Sequence, residues 1–126
     1  MNDTRRRMLT EYLGECWHEI TDKGPYQSTC SKCGMTFGAI HTSDWDPAGF
    51  NRTFTTAQDM VDLVKRIERV GDLGNFTSFS YPKWGEYCAA HGYPKNKYGG
   101  HIAWLITDPA RTCELIAEWM EGEHET

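Results

Sequence analysis

The 126-residue chain has no apolar run that approaches the length of a membrane span, which excludes a transmembrane helix as an expectation. Met1–Arg7 is basic, but no apolar segment follows it of the kind a secretion signal needs. There is no P-loop, no G-x-S-x-G and no H-E-x-x-H, so three common routes to phosphate, acyl and zinc-protease chemistry are missing. Positive charge is also scarce. The net charge is −5, with short basic groups at Arg5–Arg7, at Lys65, Arg66 and Arg69, and at Lys95 and Lys97. Acidic residues collect near the end, in Glu118, Glu121, Glu123 and Glu125. A protein whose main task is to hold a nucleic-acid backbone needs a concentrated basic face, and this chain has none. Internal repeats and low-complexity tracts are absent too.

What is present is a cluster of soft metal donors near the N-terminus. Cys16-Trp17-His18 is followed, after a polar loop, by Cys30-Ser31-Lys32-Cys33-Gly34. In an extended segment residues two apart project to the same side, so Cys16 and His18 can reach one point. C-x-x-C-G is the tight turn in which two thiolates converge and a glycine relieves the backbone behind them. Three sulfurs and one imidazole match a closed tetrahedral zinc site with no position left for water, which reads as structural. A redox dithiol is the competing reading, but such pairs open a helix after a strand, and here a strand-like run follows Gly34. His41 is the competitor for the fourth position. The five cysteines are odd in number and three belong to the cluster, which favours a reducing cytosol over a disulfide scaffold.

The length suits one domain, 1–126, with a zinc-binding hairpin at 14–41. An amphipathic helix is expected from Thr4 to about Leu13, capped by Thr4 or Asp3 and ended by Gly14. Asp22–Pro25 is turn chemistry, and Met35–Ile40 reads as a short strand. Thr55-Thr56-Ala57-Gln58 reads as a capping box opening a helix to Arg69, with Met60, Val61, Leu63, Val64 and Ile67 inward. Asn75–Tyr81 reads as a strand, and Pro82–His91 as a short helix stopped by Gly92. A polar loop over Tyr93–Gly100 leads to His101–Thr107, which is apolar on both faces and reads as a central strand. Asp108-Pro109 then starts a last helix with Cys113, Ile116, Ala117 and Met120 inward.

This order resembles the phage ABA-sandwich domain family of small bacteriophage proteins. The resemblance is carried by Ala103–Cys113, by the capped helix Thr55–Arg69, and by the runs Cys16-Trp17-His18-Glu19 and Cys30–Gly34. It implies an α+β fold, an α/β/α sandwich around a small antiparallel sheet with residues 50–126 as its core. It also implies a viral accessory role and brings no known reaction with it.

Four functions are compatible with these residues. The first is a zinc-stabilised binding or inhibitory module that contacts a host or phage protein through Trp17, Trp45, Tyr93 or Tyr98, although each aromatic also suits plain packing. The second is a small metal-dependent hydrolase using Asp44, Asp46 and His41, His91 or His101, with turn formation around Pro47 as the simpler account of the acids. The third is an anti-defence sponge for a small nucleotide, with Lys95, Lys97, Tyr98, Gly99 and Gly100 supplying charge, stacking and backbone donors. The fourth is nucleic-acid binding through Lys32 and Arg5–Arg7, which the acidic total opposes.

Overall fold

A computed structural model describes residues 1–23, 27–38, 51–92, 94 and 100–124, in two units, Met1–Thr53 and Phe54–Thr126. In the first unit, helix α1 spans Asp3–Tyr12. Its cap is Asn2, one residue before the expected position, whose side chain accepts from the Arg5 N–H at 2.8 Å. Gly14 ends the helix with a left-handed φ of 78°. Leu9 is fully buried, and Arg6, despite its charge, is only 8% exposed. The Arg6 guanidinium donates to the carbonyls of Asn51 and Arg52 at 3.1 and 2.9 Å and pairs with Asp3 at 3.0 Å, which offsets the loss of water around its charge.

Three short strands follow, β1 (Ile20–Lys23), β2 (Gln27–Cys30) and β3 (Thr36–Gly38), in an antiparallel sheet of order β1-β2-β3. Ile20 pairs with Cys30, and the register slips between Ile20 and Asp22. Thr29 pairs with Thr36 on the other side. The tip of the expected hairpin, around Gly24 and Pro25, lies outside the described residues.

The second unit is helical: α2 (Ala57–Arg69), α3 (Leu73–Ala90), α4 (His101–Thr107) and α5 (Pro109–His124). Helix α5 packs against α2, α3 and α4. The α2 capping box is present one residue later than its sequence pattern suggested. Thr56 is the cap and Asp59, rather than Gln58, reaches back to it. Asp59 accepts from the Thr55 and Thr56 N–H groups at 3.2 Å each, which explains why this carboxylate is buried. Gly71 and Gly92 close α2 and α3 with φ of 84° and 66°. Cys113, Ile116 and Ala117 of α5 are fully buried, as their spacing predicts. Phe54 opens the unit with a φ of 58° and a ring only 1% exposed.

The α/β/α sandwich around an antiparallel sheet is not the fold of this unit. Both strands expected in it, Asn75–Tyr81 and His101–Thr107, are helical, and every strand among the described residues belongs to the first unit. The first half of α3 alternates Phe, Ser and Thr like a strand. Its buried residues, however, are Phe76, Ser80, Trp84 and Cys88, spaced four apart on one helical face that runs straight through Pro82. In α4 the apolar run is too short for its period to separate strand from helix. Burial separates them: Trp104 and Leu105 are adjacent and both inward, while Ile102 and Ile106, one helical turn apart, both face out.

Pro82 is exposed inside an 18-residue helix and has no N–H to give the Ser78 carbonyl. Pro82→Ala is expected to stabilise the protein by about 1–3 kcal/mol, read as a raised midpoint in urea unfolding followed by helical circular dichroism. A lowered midpoint would show that α3 needs its proline.

Candidate metal centre

The site is built from two local segments of the first unit. Cys16 and His18 lie on the extended segment between α1 and β1, and Cys30 ends β2. The turn that follows is closed by Gly34 N–H donating to the Cys30 carbonyl at 3.0 Å and by Cys30 N–H donating to the Met35 carbonyl at 2.9 Å. Gly34 has a φ of 76°, a conformation that glycine adopts without strain, and this lets the chain double back behind Cys33. Ser31 N–H donates to the Glu19 carbonyl at 2.9 Å, fastening the turn to the segment that carries His18.

The donor atoms of Cys16, His18, Cys30 and Cys33 all lie within 4.8 Å of one another. The Cys16 and Cys30 sulfurs are 3.9 Å apart, and the Cys33 sulfur is 3.5 Å from His18 Nδ1. A tetrahedral zinc with metal–sulfur and metal–nitrogen bonds of about 2.3 and 2.0–2.1 Å requires separations of about 3.8 and 3.5 Å. The four residues are therefore close enough to bind one metal ion. Cys30 is buried, Cys16 and His18 are half-buried, and Cys33 is exposed.

The surroundings favour negative charge on one sulfur. Burial by itself raises the Cys30 thiol, but it is outweighed by the backbone N–H of Cys33, the His18 side chain and the N–H groups of Lys32 and Glu19, which together bring it down to about 6. Cys16 moves the other way, to about 11, through burial first and then its contacts with Cys33 and Cys30. Without a cation between them the sulfurs oppose each other's ionisation. A metal reverses that, since the ligating form is the thiolate.

Asn51 is a contributor that the sequence did not reveal. Its Oδ1 accepts from the His18 N–H at 2.8 Å and its Nδ2 donates to the His18 carbonyl at 3.3 Å, so the amide brackets the backbone of a donor residue 33 positions earlier. Arg6, through its bonds to the carbonyls of Asn51 and Arg52, holds this strap to α1. No spacing or motif signals either role.

The other candidates fall in several places. Trp17 is half-buried with the Arg6 guanidinium 5.4 Å over its ring. Lys32 and Arg7 both pair with Glu19, at 3.1 and 3.4 Å, and Arg7 also with Glu11 at 3.0 Å. In the second unit, His91 stacks on Tyr87 and its Nδ1 lies 2.9 Å from the Tyr87 carbonyl oxygen. His101 stacks on Trp84 with Nε2 2.8 Å from Ser80 Oγ, and burial lowers its pKa. Ser80 has no exposure, so this Ser–His contact is a packing bond inside the helical core and offers no nucleophile. Trp45, His41, Asp44, Asp46, Tyr93, Lys95, Lys97, Tyr98 and Gly99 lie outside the described residues.

No protein-family model, curated protein or solved structure matches the chain.

Two measurements test this arrangement. Asn51→Ala should weaken metal binding about tenfold or more while leaving the donor set complete, read by competition with a chromophoric chelator. Affinity should also rise with pH above neutrality, because binding at pH 7 must displace the Cys16 proton, and it should fall steeply below about 6, where Cys30 protonates as well. A flat profile would exclude thiolate ligation at this site.

Proposed function

We propose that this is a zinc-stabilised, non-catalytic binding module whose partner is a protein. What carries the reading is the donor set. Cys16, His18, Cys30 and Cys33 fill all four positions of a tetrahedral ion, in sulfur-rich chemistry that suits zinc, and leave none for a substrate or an activated water. The metal then acts on the scaffold. Leu9 and Cys30 are buried in the first unit, and a cross-link worth roughly 10–16 kcal/mol of coupled binding and folding adds to that burial.

A protein partner is favoured over a nucleic acid because the basic side chains near the site are already engaged. Arg6 pairs with Asp3, Arg7 with Glu11 and Glu19, Lys32 with Glu19, and Arg52 with Glu15 at 2.5 Å. Each such pair must be broken, or its charge shared, before a phosphate is held. The resemblance to phage proteins adds a setting, an accessory factor in the bacterial cytoplasm that binds or inhibits a host protein. The nucleotide-sponge alternative stands on Lys95, Lys97 and Tyr98 and has its own test, a thermal shift with cyclic and linear nucleotides.

Elemental analysis and native mass spectrometry of protein purified without added metal should give one zinc per chain. A strong chelator should collapse the dispersed amide signals of Met1–Thr53 in nuclear magnetic resonance spectra while those of Phe54–Thr126 persist. Metal-free protein with the first unit intact would refute a structural zinc.

A further inference from the structure

The second unit carries an apolar groove of about 330 Å³ walled by α2, α3 and α4. Its floor is Met60, Phe76 and Leu105, all buried. Its walls stand in the open: Ile102 and Ile106 are each 60% exposed, and Val61 and Leu73 each 37%. Aliphatic side chains on three helices thus line one concavity of a size that small ligands occupy, about 300–1,000 Å³.

The polar content of this groove is narrow. Thr77 Oγ1 donates to the Leu73 carbonyl at 2.6 Å and Thr112 Oγ1 to the Leu105 carbonyl, so both hydroxyl protons are spent within the helices. Lys65 is the one charged residue in the lining. It is exposed and has no carboxylate within ion-pair distance among the described residues.

We propose that this groove binds a linear aliphatic carboxylate, its hydrocarbon chain on Met60, Phe76 and Leu105 and its carboxylate against the Lys65 ammonium. A long, unbranched tail suits an open trough whose walls are Val, Leu and Ile. A single cation with no internal partner selects one negative group at one end. A second copy of the chain docking face to face would bring two Lys65 ammonium groups toward each other, which the carboxylate avoids. The inference is independent of the metal, since every lining residue belongs to the second unit.

The test is calorimetric titration of the full chain with dodecanoate below its micellar concentration, beside dodecan-1-ol and dodecyltrimethylammonium. Dodecanoate should bind saturably at one per chain, the alcohol more weakly, and the cation least. Lys65→Glu should weaken dodecanoate about tenfold or more and leave the alcohol within about twofold. Ile102→Glu should abolish both while circular dichroism and melting temperature stay close to the parent; if it unfolds the chain, Ile106→Glu takes its place. Absence of saturable dodecanoate binding, or equal affinity for the three tails, would overturn the proposal. So would a concentration-dependent dimer in sedimentation that Ile102→Glu dissolves, which would give the groove to a second copy.

Discussion

Three sulfurs and an imidazole nitrogen gathered within 4.8 Å are a constraint before they are a site. Thiolates at such distances repel, and thiols so placed gain little from one another. The arrangement makes sense around a cation that turns mutual repulsion into shared attraction. Everything near it serves the convergence: the glycine turn behind Cys33, the N–H groups aimed at Cys30, the amide of Asn51 on either side of His18, and Arg6 tying that strap to the first helix. The second unit is held by the opposite means, a continuous set of buried side chains that includes Phe54, Leu63, Ile67, Phe76, Ile116 and Trp119. One short chain therefore gathers potential metal donors in one half and buries a hydrophobic set in the other.

The donor set was legible because its information is local. Two residues apart on an extended segment and three apart across a turn are distances that sequence spacing reports directly. Helix α5 was legible for a similar reason, with Asp108-Pro109 marking its start and an inward stripe of regular period behind it. Asn51 was not, because its partner is 33 residues away and an isolated asparagine carries no pattern. Arg6 is buried although charge alone predicts exposure, because three oxygen partners reverse that balance.

The sandwich failed at two identifiable places. In Asn75–Tyr81 the eye follows Phe76, Phe79 and Tyr81, but the residue that sets the period is Ser80, fully buried although polar. A serine whose oxygen lies 3.2 Å from the Thr77 carbonyl and 2.8 Å from a histidine nitrogen can sit inside a helix stripe, and no hydropathy pattern marks it as core. In His101–Thr107, alternation and helical repeat coincide over so few residues that only packing separates them. Once α4 is a helix, two isoleucines that a central strand would have hidden are turned outward, and the exposed wall of the groove is the direct result.

Phe54, with its left-handed backbone and enclosed ring, limits what the chain can become at the start of the second unit. The backbone conformation costs an ordinary residue about 1–2 kcal/mol, and burying a large apolar side chain returns about 1.5–3. Glycine there would ease the first and forfeit the second, leaving a ring-sized void; leucine or valine would keep the strain and fill the space badly. Relief of the backbone and occupancy of the core are thus mutually exclusive at this one residue, so a large side chain sits where geometry alone would choose none.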